Sequence, residues 1–130
     1  MSRSLAFAAL ALPLAFATPA AADPASPDCM ANAQTTLEMS ECAHADRTAA
    51  DAELNRVYGQ LLASLADAGE RAALKKAERA WITFRDAHCA FATFSSRGGT
   101  IHGVEVASCL ADTTRARTAQ LREAIEAQKL

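Results

Sequence analysis

Four cysteines, Cys29, Cys42, Cys89 and Cys109, have the widest chemistry open to them in this 130-residue chain. A thiol can ligate a metal, exchange electrons within a close pair, or be oxidised to a disulfide. No Cys-x-x-Cys pair is present, so dithiol redox chemistry has no support. Cys42-x-His44 and His88-Cys89 offer a Cys₂His₂ set. Residues one or two apart on a helix point to different sides, however, which opposes a tetrahedral centre. We expect no metal and no cofactor. Two disulfides are the simplest outcome in an oxidising compartment.

Two further stretches carry reactive groups. Trp81-Ile82-Thr83-Phe84-Arg85-Asp86-Ala87-His88-Cys89 mixes aromatic, charged and imidazole side chains. Ser95-Ser96-Arg97-Gly98-Gly99-Thr100 carries hydroxyls and a cation around a Gly pair, with His102 just beyond. Neither pairs a nucleophile with a base or places two carboxylates on one face, and no Gly-rich phosphate loop occurs. The chain is therefore read as a non-enzyme. His44 is expected on the surface, His88 in a core seam, and His102 in a loop open to a partner.

The compartment follows from the first residues. Arg3 is followed by an apolar run from Leu5 to Phe16, broken only by Pro13, and then by Ala20-Ala21-Ala22. This is the pattern of a secretory signal peptide cleaved after Ala22. The apolar run is too short to span a bilayer. Ser26-Pro27-Asp28-Cys29 lacks the Leu and small residues of a lipobox. We expect residues 23–130 to form one domain, periplasmic or secreted, with no membrane insertion after cleavage.

Helices must position these groups. Pro24 and Pro27 mark an extended arm. Thr35-Thr36-Leu37-Glu38 reads as a capping box opening a helix from Leu37 to about Asp67. Leu54, Tyr58, Leu61 and Leu65 recur at helical spacing along it. Gly69 is expected to end this helix as a left-handed cap. A second helix starts near Glu70, with Leu74, Ala77, Trp81, Phe84, His88 and Phe91 forming a heptad-like seam. It stops at Ser95-Ser96-Arg97-Gly98-Gly99. A third helix starts near Val104, with Val106, Leu110, Thr113, Arg117, Leu121 and Ile125 on one face. Thr100–Val104 has room for a short extended segment at most. The fold class is all-α: a small antiparallel bundle of three main helices.

Hairpin symmetry then sets the register. A first turn near Ala68 places Asp51 opposite Arg85, and Tyr58 near Glu78 or Arg79. Asn55, one turn from Asp51, would join a partly buried polar cluster. Four cysteines allow three connectivities. A second turn at Gly99 brings Cys89 against Cys109, leaving Cys29 for Cys42, each bridge worth roughly 3 kcal/mol. Arg117 falls opposite Trp81, a cation–π contact of about 1 kcal/mol.

Charge is uneven. Asp23 to Asn55 holds seven acids (Asp23, Asp28, Glu38, Glu41, Asp46, Asp51, Glu53) and one base, Arg47. Arg56 to Leu130 holds eleven bases and eight acids. The acidic third is either a solvated helix face or a surface for a basic partner. No basic stripe interleaves with aromatics, so nucleic acid is not an expected partner.

Several of these residues together carry a resemblance. Asp51-x-Glu53-Leu54-Asn55-x-x-Tyr58, Trp81-x-x-Phe84-Arg85-Asp86-x-x-Cys89, Gly98-Gly99-Thr100, Cys109 and Thr114-x-x-Arg117-x-x-x-Leu121 occur in this order. The chain resembles the lysozyme-inhibitor LprI-like N-terminal domain family of small exported bacterial proteins. The resemblance runs from Cys29 to about Leu121. It implies a helical fold with paired cysteines, and inhibition of c-type lysozyme as the expected activity. The expected partner is lysozyme or another basic cell-wall-acting protein. A retaining glycosidase holds two carboxyl groups roughly 5 Å apart in a cleft. A stapled loop of Ser95, Ser96, Arg97, Gly98, Gly99 and Thr100, with His102, has the cation and hydroxyls to occupy that gap. The alternative is a non-enzymatic envelope binding module, whose mark would be an exposed apolar patch around Phe91 and Phe94.

Overall fold

The computed structural model describes Ser26 and residues 28–129. The leader, its cleavage site, Asp23 and both prolines of the arm lie outside the described residues. Four α-helices follow in order: α1 (Cys29–Asn32), α2 (Thr36–Ser64), α3 (Ala68–Ala92) and α4 (His102–Ala127). A single 3₁₀ turn, Phe94–Ser96, lies between α3 and α4. No strand occurs among the described residues. The architecture is the expected all-α bundle of three main helices.

Local chemistry sets the boundaries. Thr35 Oγ1 accepts from the Glu38 N–H at 3.2 Å, and Glu38 Oε2 accepts from the Thr35 N–H at 2.9 Å. This is the expected capping box, with two end donors satisfied reciprocally. The end of α2 differs from expectation. Leu65 leaves the helix in an extended conformation and Asp67 immediately caps the next one, accepting from the Glu70 N–H at 2.8 Å. Gly69 therefore lies inside α3 and does not adopt the left-handed conformation of a cap. A Cβ there would come 2.9 Å from Asp67 Oδ1, so the missing side chain makes room for the capping carboxylate. Arg71 Nη1 closes the turn by donating to the Leu65 and Ala66 carbonyls at 2.8 and 2.7 Å.

The long helices run up, down and up, which makes α2 and α4 parallel neighbours. Small residues let these two approach closely: Ala43 and Ala50 on α2, Ala107 and Ala111 on α4 are all buried. Ala43 packs with Val104 and Ala107 at one end. Leu54, Val57 and Leu61 pack with Leu121 at the other, joined by Tyr58, Leu74, Trp81, Ala124 and Ile125. The α4 row expected from spacing, Val106 to Ile125, is buried or half-buried throughout. Cys29 and Cys42 form one bridge and pack with Ala33 and Met39, which pins α1 to the start of α2. Cys89 and Cys109 form the second, tying α3 to α4. These are the two pairings expected from the register.

The face that α3 buries is not the heptad seam. Leu74 and Trp81 contact the core as expected, but Ala77, Phe84, His88 and Phe91 are exposed. Phe84 is 58% and Phe91 80% accessible. The inward row is Leu74, Glu78, Trp81, Arg85 and Cys89, of which Glu78, Arg85 and Cys89 are buried and Leu74 and Trp81 half-buried. Two charged residues occupy core positions because α2 and α4 supply their partners. Hydrophobic periodicity favours the aromatic face, and ion pairing turns the helix away from it.

Candidate functional site

Three helices converge at the end of the bundle that carries the Cys89–Cys109 bridge. Arg47 of α2, Asp86 and Ala90 of α3, Arg97 of the connecting loop, and His102, Val106 and Leu110 of α4 line one cleft there, with Cys89 at its floor. An ion-pair chain runs along one wall. Arg47 Nε lies 3.6 Å from Asp51 Oδ2, Asp51 Oδ1 lies 3.1 Å from Arg85 Nη1, and Arg85 Nε lies 3.0 Å from Asp86 Oδ1. Arg85 Nη1 also donates to Thr114 Oγ1 at 3.2 Å. Thr114 is fully buried, while the Arg85 side chain is 10% exposed. Alternating charges let the guanidinium be buried without being left unpaired. With Asp51, Arg85 and Asp86 balanced against Arg47, the cleft keeps the charge of Arg97 in excess. Its chemistry suits a carboxylate.

The loop above the cleft is closely tied down. Thr93 Oγ1 donates to the Cys89 carbonyl at 2.8 Å, next to the bridge. Ser96 Oγ donates to the Thr93 carbonyl at 3.0 Å and shares a hydrogen bond with His102 Nδ1, also at 3.0 Å. The Gly99 N–H donates to the Ser96 carbonyl at 2.9 Å. Gly98 turns the chain at φ +85°, a left-handed conformation that side chains rarely adopt. Arg97 projects outward with its guanidinium 4.5 Å from the centre of the Phe94 ring. Ser95, Arg97 and Thr100 are exposed and Ser96 half-buried. The Ser96 hydroxyl is thus turned into the loop. His102, expected in the loop, is the first residue of α4, and Thr100–Val104 turns directly into that helix with no extended segment. The Gly98–Gly99 turn is tight enough for α4 to start at once.

A second polar cluster lies further along α3. Arg117 Nη2 lies 3.0 Å from Glu78 Oε2, with both side chains largely buried. The Trp81 ring carries the guanidinium of Arg117 at 5.9 Å, as the register required, and that of Arg85 at 5.3 Å. Tyr58 and Asn55 line a groove with Glu78 and Arg79. Asn55 itself is exposed and stays outside the Asp51–Arg85 cluster, contrary to expectation, because its position on α2 turns it toward that groove. Phe84 stacks on His88 at the surface, ring centres 5.5 Å apart. Asp86 is exposed apart from its contact with Arg85.

Sequence reasoning missed Arg47 in the cleft, Thr114 as the third partner of Arg85, and Glu78 as the partner of Arg117. The signals were present. Arg47 stands one turn from Asp51 toward the bridge, and Glu78 one turn from Trp81 on the same face. The metal alternative fails at its sulfurs, since Cys42 and Cys89 are each bonded to another cysteine.

Much of the acidity of α2 is met internally. Asp46 pairs with Arg115, Asp51 with Arg85, and Glu53 with Arg56 and Arg122. Hydrogen bonding from Arg56, with the positive charges of Arg56 and Arg122, lowers the Glu53 carboxyl from 4.5 to about 2. Glu38 is also lowered, by the backbone N–H groups of Gln34 and Thr35. No helix among the described residues is long and apolar enough to cross a membrane.

A family model described as "Lysozyme inhibitor LprI" matches residues 28–121. An uncharacterised protein of Rhizobium meliloti (strain 1021) is 42% identical over 130 residues, covering 91% of this chain and 93% of the relative. No solved structure matches. The family match spans both disulfides, the Arg85 network and the loop, so this chain belongs to the lysozyme inhibitor LprI family.

Proposed function

We propose that the chain is exported after cleavage at Ala22, and that residues 23–130 act in the periplasm or outside the cell as an inhibitor of c-type lysozyme. Arg97 is the contact group. It is exposed, it is fixed against Phe94, and it stands over a cleft with surplus positive charge. Two carboxyl groups about 5 Å apart form the working centre of a retaining glycosidase. A guanidinium pairs through two parallel N–H donors with one carboxylate and keeps further N–H groups for a second. Ser95 and Thr100 are exposed hydroxyl residues on the same loop, while Ser96 and His102 hold the loop in shape. A preformed loop loses little entropy on docking. The observation that carries this reading is Arg97 on a loop fastened at the Cys89–Cys109 bridge, in a chain of the lysozyme inhibitor family.

The test is lysis of a bacterial cell-wall suspension by c-type lysozyme, with and without the oxidised protein. Dose-dependent protection supports the reading. Lysis by c-type lysozyme that is unchanged at large molar excess refutes it.

A second reading draws on a specific observation. Phe84, Phe91 and Phe94 are 58%, 80% and 61% exposed. An apolar patch of this kind marks an interaction surface, and it favours a binding module with an envelope partner other than lysozyme. Pull-down of such a partner that survives loss of Arg97 and fails with loss of Phe91 would separate the two.

A further inference from the structure

We propose that the exposed face of α3 is the interface of a homodimer, formed by two copies packed antiparallel along that helix. Self-association is a property beyond lysozyme inhibition, and its stripe on α3 meets the Arg97 loop only at the ends. The face is divided in two. Its first half presents Ala73, Ala77 and Ala80; its second presents Phe84, His88 and Phe91, all exposed. The spacing of three and four puts these residues in one stripe. Two such stripes laid antiparallel about Phe84 stack the two Phe84 rings at the centre and bring the other large residues against small ones. Ala80 meets His88 of the second copy and Ala77 meets Phe91, and the reciprocal pairs follow by symmetry. Bulky side chains then enter the gaps left by alanines, as ridges enter grooves. Parallel packing would instead set aromatic against aromatic and leave a void between alanines.

Charge agrees with this register. Glu70 lies at the alanine end of the stripe and Arg97 just beyond the aromatic end. Neither has an ion-pair partner among the described residues. Antiparallel packing carries Glu70 to the loop that holds Arg97 of the second copy, at both ends of the interface. The stripe from Ala73 to Phe91 is roughly 27 Å long at about 1.5 Å per residue. At one helix width of about 11 Å it buries on the order of 300 Å² per copy, short of the roughly 1,000 Å² total that stable specific interfaces clear. The dimer is therefore weak and reversible, and inhibition assays at low concentration leave Arg97 free.

Sedimentation equilibrium of the oxidised protein, with no lysozyme present, tests this independently of the proposed function. The expected apparent mass rises toward two-fold as concentration goes from about 10 µM to about 1 mM, the range of a small interface. Phe84→Gln with Phe91→Gln lowers association at least ten-fold, and so does Ala77→Trp, which fills the gap for Phe91. All three positions are exposed, so circular dichroism and melting temperature stay close to those of the parent. Glu70→Arg weakens association, and adding Arg97→Glu restores it. A single monomer mass at every concentration overturns the proposal. A dimer indifferent to Phe84 and Phe91 overturns it too, and one sensitive to them but not to Ala77→Trp overturns the antiparallel register. Binding of the monomer to phosphatidylglycerol vesicles through Phe84 and Phe91 would give the stripe to lipid instead.

Discussion

Arg85 reaches Asp51 at 3.1 Å across 34 residues of sequence and Thr114 at 3.2 Å, and so ties α3 to both α2 and α4. It also decides which face of α3 is buried, because a guanidinium in the interior must stay with its acceptors. Removing the carboxylate leaves the buried guanidinium short of a partner, whereas removing the guanidinium leaves Asp51 partly solvated and beside Arg47. Asp51→Ala is therefore expected to lower unfolding free energy by about 2 kcal/mol, reduced from the buried-pair range because Asp51 is partly solvated. Arg85→Met is expected to cost less. Urea titration of both variants checks the order, and a larger loss for Arg85→Met would reverse the argument.

Trp81 and Phe84 stand three residues apart with opposite fates. Trp81 packs on the Leu54–Leu121 cluster under two guanidinium groups, whereas Phe84 is 58% exposed. Trp81→Ala should cost about 3 kcal/mol, the low edge of the range for large aromatic truncations. Phe84→Ala should cost well under about 1 kcal/mol, as for exposed positions generally. Thermal melts at low protein concentration separate them, and equal losses would return Phe84 to the core.

Much of the fold was readable because it rests on local and periodic signals. The Thr35–Glu38 capping box, the α4 row and the pairing of Cys89 with Cys109 each follow from spacing. The face of α3 did not follow, because Glu78 and Arg85 look like surface residues until Arg117, Thr114 and Asp51 are placed around them. Hydrophobic periodicity counts Phe84 and Phe91 toward a core and has no means of counting a satisfied arginine. Gly69 misled for a similar reason: a glycine after a helical run suggests a cap, but Asp67 had already started the next helix. At the site, Arg97 and the Gly pair were visible from composition. The inward turn of Ser96 toward Thr93 and His102 depends on where α4 begins, and spacing does not give that to the residue.

Acid should destabilise the protein partly through Glu53. Its carboxyl is lowered from 4.5 to about 2, chiefly by Arg56 with Arg122 behind it. A group depressed in the folded state stabilises fully above its unfolded value and loses that contribution as pH falls through its folded value. The loss therefore falls between about pH 4.5 and about pH 2. Glu53→Gln should flatten the dependence of melting temperature on pH across that window. An unaltered slope would show that the Arg56 and Arg122 contacts do not persist in solution.

The two bridges should be separable by function. Each closes a short loop, and loss of either should cost roughly 3 kcal/mol of stability. Only the Cys89–Cys109 bridge adjoins Thr93 and the loop that carries Arg97. Replacing both its cysteines with alanine should weaken lysozyme inhibition below the melting temperature. Replacing Cys29 and Cys42 should leave inhibition intact under the same conditions. Equal effects on inhibition would mean that the loop is not the contact surface.

The most direct measurement is the inhibition constant against c-type lysozyme for the oxidised parent and for the Arg97→Ala, Ser96→Ala double variant. Arg97 is the contact group and Ser96 shapes its loop, both outside the hydrophobic core, so circular dichroism should show an unchanged helical bundle. Inhibition by the parent is expected, with a loss of at least ten-fold in the variant, equivalent to about 1.4 kcal/mol. Equal inhibition by the two proteins would contradict this and move the contact surface away from the loop.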